Sequence, residues 1–419
     1  MSKTCYTNAR ILVGNGDIID DGIIVVNHNQ SVGKLPVLAD TLEFVGPQQD
    51  WVLADDDEVI DCSGCTLLPG LYDVDTHLDL MNEKFDDYVD NIGPSYRTFV
   101  SFRNASEALN AGVTTLRITG MPDGIDLALK SVYSKNMVFG PTLFVSGPEY
   151  TTTQGFGSEL YGTAQCSGAD EFRGTARVNL SHGLDLLRLC ISGRRLAALN
   201  GEYEKQMCDD EIKALTDLAH AFGKSISAHC AGDLSIRAAL QHGVTSIEHG
   251  LKASRETVRA MAESGVYFIP ALCATVDADA QTKNEHQEMV RMAIEEGVKI
   301  CVGTDVLPSE PMDGTTAIIR ELELLCDLGM TPMQAIIAAT SNAAVLCSDS
   351  KCGTLKAGNR ADFIAVKGNP DQNIQLMRDI SLVVKHGRRV FSKVSAKPER
   401  LFHIHAPSYS VNGGTTRVW

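Results

Sequence analysis

The stretch LLPGLYDVDTHLDL, Leu67 to Leu80, is apolar in its first half and polar at its end. It reads as a buried strand that delivers side chains into a polar mouth. Asp75 and His77 stand two residues apart, so on a strand they point to the same face. A carboxylate and an imidazole on one face can hold a divalent metal ion.

Seven more short apolar runs follow that strand: VTTLRITG, PTLFVSG, LDLLRLCISG, SISAHC, TSIEHG, VYFIPAL and KICVGTD. Helical stretches lie between them, and most close with a glycine, the usual residue past a helix C-terminus. After the eighth run, TPMQAIIAATSNAA opens with Thr331, Pro332 and Gln334 in capping-box spacing. Eight strand–helix units over residues 68–346 predict an α/β fold, a (β/α)8 TIM barrel. The two ends differ from this middle. ARILVGNGDIIDDGIIVVN near the start, and GTLKAGNRADFIAVKG and SLVVKHGRRVFS near the end, are short strands around turns. Residues 1–67 and 347–396 are therefore expected to build one small β-sandwich domain, with residues 397–419 as a polar tail. The alternating His403 and His405 in that tail read as strand or arm pattern rather than as a metal pair.

Composition excludes several function classes. The 419 residues are 44% hydrophobic and 21% charged, with a formal net charge of −16. An acidic chain without a basic run is a poor match for nucleic acid or an anionic membrane. The start MSKTCYTNARILVG lacks the pattern of a signal peptide, and no run is long and apolar enough to span a bilayer. The 12 scattered cysteines then suggest reduced thiols and a cytoplasmic location. The spacing of Cys62 and Cys65 suits redox or zinc chemistry, but no second such pair exists, and DCSGCTLLPG reads as a turn before a strand.

In a barrel, chemistry sits at the C-terminal ends of the strands. Those ends carry Asp75 and His77 on strand one, Arg188 on strand four, His229 on strand five, His249 on strand six and Asp305 on strand eight. Imidazoles and carboxylates converging on one mouth are the usual donors for zinc and similar ions. His182, His220, His242 and His286 fall on helices or at their ends and receive no role.

These pieces resemble the amidohydrolase superfamily, on the branch of imidazolonepropionases and prolidase-like amidohydrolases. The resemblance rests on LLPGLYDVDTHL, AGVTTLRITG, SAHCAGDLSIRAALQHGVTSIEHG, VGTD, ELELLCDLGMTPMQAIIAATSNAA and GTLKAGNRADFIAV, in order along nearly the whole chain. It implies the barrel and a metal-assisted hydrolysis, with His77, His229, His249 and Asp305 on the pattern. Three positions depart from it. Asp75 stands where the family has the first His of His-x-His, Arg188 where it has a lysine carboxylated to bridge two metals, and Phe156 in TQGFG at the His of a Gly-Gly-His-Gly loop.

An arginine in place of a bridging anion repels a second cation. The expectation is thus one divalent ion, zinc ahead of manganese or iron, held by Asp75, His77, His229 and Asp305. Asp305 is the candidate general base, His249 orients substrate or water, and Arg188 belongs to the catalytic set. Tyr150, Gln154 and Phe156, in the loop after strand three, are candidate substrate contacts. The expected activity is hydrolysis of a C–N bond in a small amide, cyclic amide or amidine-like molecule. The alternatives are a metal-independent lyase or isomerase, or a non-catalytic binding protein on the same barrel. Barrels of this kind often associate, so a homo-oligomer is expected.

Overall fold

The computed structural model describes residues 3–28, 40–79, 93–158, 162–196 and 201–393. His403 and His405, and most of the loop after strand one, lie outside the described residues.

The opening stretch behaves as its composition demands. Leu71–Thr76 is a strand with every residue buried, and so is Val113–Ile118. Continuous burial is the mark of a parallel strand covered on both faces. Leu71–Thr76, Val113–Ile118 and Thr142–Val145 form one parallel sheet of three strands. A second sheet of seven parallel strands contains Leu186–Cys190, Ser225–Ala231, Ser246–Leu251, Tyr267–Ile269 and Lys299–Ile300 in sequence order. Its edge adds two short strands not foreseen from sequence, Glu149–Thr152 and Ala164–Cys166. Backbone hydrogen bonds link the two sheets at both seams. Val74 N–H donates to Val302 C=O at 3.0 Å and Asp305 N–H to Asp75 C=O at 2.7 Å, while Asp185 N–H reaches Val145 C=O at 2.9 Å.

Along these strands the parity of the residues sorts the chemistry. Tyr72 and Val74 pack with Ala343, Ala344 and Leu346 of the helix Ser341–Leu346. The alternate positions Asp75, Arg117, Arg188, Ser227, Ser246 and Glu248 are also buried, but they bond to one another. One side of the strands is therefore an apolar layer under helices, and the other is a closed set of charges.

The strands near the two chain ends join in one eight-stranded sheet. Its hydrogen-bonded path runs Arg388–Ser392, Ile380–Lys385, Phe363–Lys367, Cys65–Pro69, Thr4–Leu12, Ile18–Asn27, Thr41–Pro47, with Glu58–Asp61 pairing beside Thr4–Leu12. Cys65–Pro69 ends this sheet, and after Gly70 the chain enters the first parallel strand directly. Gly70 is required there, because an added Cβ would overlap the Thr114 side chain. The CSGC segment is a turn, closed by Cys65 N–H donating to Cys62 C=O at 2.9 Å. The capping box at Thr331 and Gln334 is present, with Pro332 as the first helical residue.

Candidate active site

Three donors converge at the end of the first parallel strand. One ligand atom each from Asp75, His77 and Asp305 lies within 4.8 Å of the others. His77 is oriented by its second ring nitrogen. Nδ1–H donates to the Gly120 carbonyl at 3.1 Å, which turns Nε2 toward Asp305 Oδ1 at 3.0 Å. Asp75 is fully buried; its Oδ1 accepts from Thr119 Oγ1, and its Oδ2 has no hydrogen-bond partner. An orphaned buried carboxylate oxygen is costly, and a cation bound beside it would satisfy it.

Asp305 and His249 both adopt left-handed backbone conformations, with φ of 55° and 65°. Such angles cost energy in non-glycine residues and gather at functional sites. At His249 the turn breaks the alternation that holds Glu248 inside. It brings His249 Nε2 to 4.0 Å from Asp305 Oδ2. Asp305 thus faces His77 with one oxygen and His249 with the other.

Beneath this triad lies Arg188, whose side chain is only 2% exposed. Its guanidinium meets Glu248 Oε2 at 2.8 Å, Glu149 Oε1 at 3.3 Å and Asp75 Oδ1 at 3.4 Å, and donates to Ser227 Oγ at 3.1 Å. Arg117 meets Glu248 from the other side at 3.0 Å. Burial works against the charge on Arg188, but Asp75, Glu248 and Glu149 more than restore it, so it stays a cation. Burial likewise opposes ionisation of Glu248, and Arg188 and Arg117 hold its carboxyl below the usual range. Asp305 is desolvated too, yet the hydrogen bond from His77 and the nearby positive groups keep it well below the usual range. His77 resists its own burial through Asp305 and is raised to about 10. His229 goes the other way: burial first, and then its proximity to His249 and to the Arg188 guanidinium, push it down, so it is neutral. Asp73 is pushed well above the carboxylate range by burial, with Thr304 bonded to it, and counts as uncharged.

Several expected residues fall elsewhere. His229 is outside the triad; its ring lies between Phe156, at 5.6 Å, and His249, at 4.6 Å between centroids. Arg188 cannot grip a substrate, because carboxylates and a hydroxyl surround a guanidinium that solvent does not reach. Tyr150 is fully buried in the main apolar core, and its hydroxyl accepts from Asn179 Nδ2 at 2.7 Å, so it packs strand against helix instead of lining the mouth. Gln154 sits exposed on the loop with φ of 61°. Phe156 is half-buried beside His229. The sequence reading missed Glu149, Glu248, Arg117 and Gln206. For Glu248 and Arg117 a signal existed: Glu248 shares the parity of Ser246 on its strand, and Arg117 that of Thr115.

The model of the amidohydrolase family matches residues 66–390. The chain belongs to the amidohydrolase family. Among curated amidohydrolase relatives it is similar to an ochratoxinase from Aspergillus niger, 26% identical over 357 residues, 75% of this chain and 72% of that protein. It is also similar to an imidazolonepropionase from Geobacillus kaustophilus, 26% identical over 358 residues, covering 77% and 81%. Among solved structures, a Xaa-Pro dipeptidase with bound methionine superposes with TM-score 0.80 at 24% identity, covering 93% of this chain and 99% of that one. The crystal structure of A. niger ochratoxinase gives 0.78 at 22%, covering 93% and 96%. These likenesses establish the amidohydrolase fold, and the family membership makes the protein an amidohydrolase-type enzyme. Among the described residues, no helix is long and apolar enough to cross a membrane.

Proposed function

We propose that this amidohydrolase hydrolyses a C–N bond in a small amide, cyclic amide or amidine-like substrate, with one divalent ion held by Asp75, His77 and Asp305. Zinc suits this mixed nitrogen and oxygen set ahead of manganese or iron. The observation that carries the reading is a charge imbalance. Four buried or half-buried carboxylates, Asp75, Glu149, Glu248 and Asp305, face two guanidiniums, Arg117 and Arg188. Burial pushes Asp75 and Glu149 up; with all four ionised, the excess of two negative charges matches one divalent ion, and the orphaned Asp75 Oδ2 gives it a ligand. Arg188 fills the neighbouring space with a fixed cation, which disfavours a second ion by simple repulsion.

When bound, such an ion supplies Lewis acidity. The chain's own groups do the rest. Asp305 takes the proton of the attacking water and returns it to the departing nitrogen. His249, next to Asp305, orients the substrate carbonyl. Neutral His229 and Phe156 wall the mouth on one side. The fold in this reading is a closed (β/α)8 barrel over residues 68–346, beside a small β-sandwich domain from residues 1–67 and 347–396.

A second reading has one observation in its favour. His77 raised to about 10 can stand as an imidazolium against Asp305, which offsets part of the imbalance without metal. A panel of small amides assayed before and after chelation separates the two. Hydrolysis that chelation removes and added zinc restores supports the metal-dependent hydrolase. Turnover indifferent to chelation supports metal-independent chemistry.

A further inference from the structure

The loop that replaces the expected Gly-Gly-His-Gly segment is held by one side chain that the proposed mechanism does not use. Gln206 follows the strand Glu202–Lys205, and its own N–H donates to Ile191 C=O at 3.0 Å. Its side-chain Oε1 accepts from Phe156 N–H at 2.7 Å. Its Nε2 donates to Cys190 C=O at 2.8 Å, Thr151 Oγ1 at 3.2 Å and Phe156 C=O at 3.3 Å. Thr151 Oγ1 closes the loop by donating to Phe156 C=O at 2.7 Å. One amide therefore satisfies both backbone groups of Phe156 and ties them to the end of strand four. Gly155 makes the approach possible, since an added Cβ would stand 2.6 Å from Gln206 Oε1. Gly157 supplies the left-handed turn after the ring, with φ of 85°.

The result is a row of rings. Phe156 lies at 5.6 Å from His229 with planes 32° apart, and His229 lies edge-on to His249 at 4.6 Å and 64°. The row therefore offers aromatic faces and edges on this side of the mouth. Among the described residues, Arg188 is paired with three carboxylates, Arg195 with Glu285 at 2.8 Å and Lys252 with Glu202 at 2.7 Å. An anionic group finds no unpaired partner in these residues, whereas a flat neutral ring can stack on the half-exposed Phe156.

We infer that Gln206 is a positioning residue that fixes Phe156 against His229, and that the Phe156 ring makes this side of the mouth prefer a neutral aromatic group beside the amide. The inference rests on the proposed reading of the mouth as an amide site. Its test needs no turnover. Dissociation constants of N-benzoylglycinamide and N-acetylglycinamide are measured on the intact protein, on Phe156→Ala and on Gln206→Leu. Hydrogen exchange of the 151–158 segment is followed in parallel. The intact protein should bind the benzoyl amide about fivefold or more tightly, from the size of a ring–ring contact. That preference should vanish in both variants, and Gln206→Leu alone should lose exchange protection at Phe156 while the barrel strands keep theirs. An intact protein that binds both amides equally, or Gln206→Leu with unchanged protection or unchanged preference, overturns the inference. Loss of protection throughout Gln206→Leu would mean a general structural role and overturns it as well. A loss of metal dependence in hydrolysis leaves these binding ratios untouched, so the two readings fail separately.

Discussion

At the scale of single residues, Arg188 decides what the mouth can be. Its carboxylate neighbours are packed around it, so its removal leaves Asp75 and Glu149 without their guanidinium and Glu248 with Arg117 alone. Arg188→Met should destabilise the fold by about 3–5 kcal/mol, the usual cost of breaking a buried pair from one side. Asp75→Asn should cost less, because Glu248 and Glu149 still hold the guanidinium. The double change should cost less than the sum of the singles; additive denaturation midpoints would refute the coupling. His286 gives a second test. It is fully buried, its Nδ1 bonds Thr275 Oγ1 at 2.8 Å, and burial pushes it down to about 3. In the window between that value and the ordinary 6.5, the unfolded chain binds a proton that the folded chain refuses. Stability from this group is therefore complete above pH 6.5 and is lost as pH falls, by about 2 kcal/mol between pH 6.5 and ~5. Denaturation at several pH values checks it: His286→Asn should flatten that slope, and an unchanged slope would count against the assignment. The Asp75 and Arg188 departures were legible in the sequence because they fall on a motif. Glu248 was not, because it precedes a histidine that drew the reading. Only the parity of Ser246 and Glu248 on the strand marks it as interior.

At the scale of elements, the eight strands and their order were readable because continuous apolar runs and glycine stops recur. The strand ends were harder. His249 would point away from the interior by alternation, and only its left-handed backbone turns it to Asp305. No residue type announces such a turn in a histidine. Tyr150 was misplaced for the opposite reason. The added strand Glu149–Thr152 imposes its own alternation, with Glu149 reaching Arg188 and Tyr150 facing Asn179. The junction between the terminal sheet and the first parallel strand makes a sharp test. Gly70→Ala should cost about 1–3 kcal/mol by overpacking against Thr114, and Thr114→Ala in the same chain should recover much of it. Thermal unfolding of the two variants decides the point; a tolerated Gly70→Ala would contradict the close approach.

At the scale of the whole molecule, the terminal sheet and the parallel strands share a buried polar joint. Lys385 is fully buried, and its Nζ reaches Asp362 at 2.6 Å and Thr142 Oγ1 at 2.8 Å, while Tyr72 OH donates to Asp349 at 3.0 Å. Strand and turn style at the two ends was enough to expect that they meet. The joint itself was not legible, since Lys385 meets Thr142, and Tyr72 meets Asp349, across more than 200 residues of chain. The same limit applied to the mouth: sequence named most of its donors but not the counting of charges, which needs all six buried or half-buried ions in one place. That count leads to the central claim of a single divalent ion. Elemental analysis of protein purified without added metal tests it most directly, alongside Asp75→Asn and Asp305→Asn. The expected result is about one equivalent of a divalent metal per chain, lost in both variants. Two equivalents, none at all, or a metal retained in either variant would contradict it.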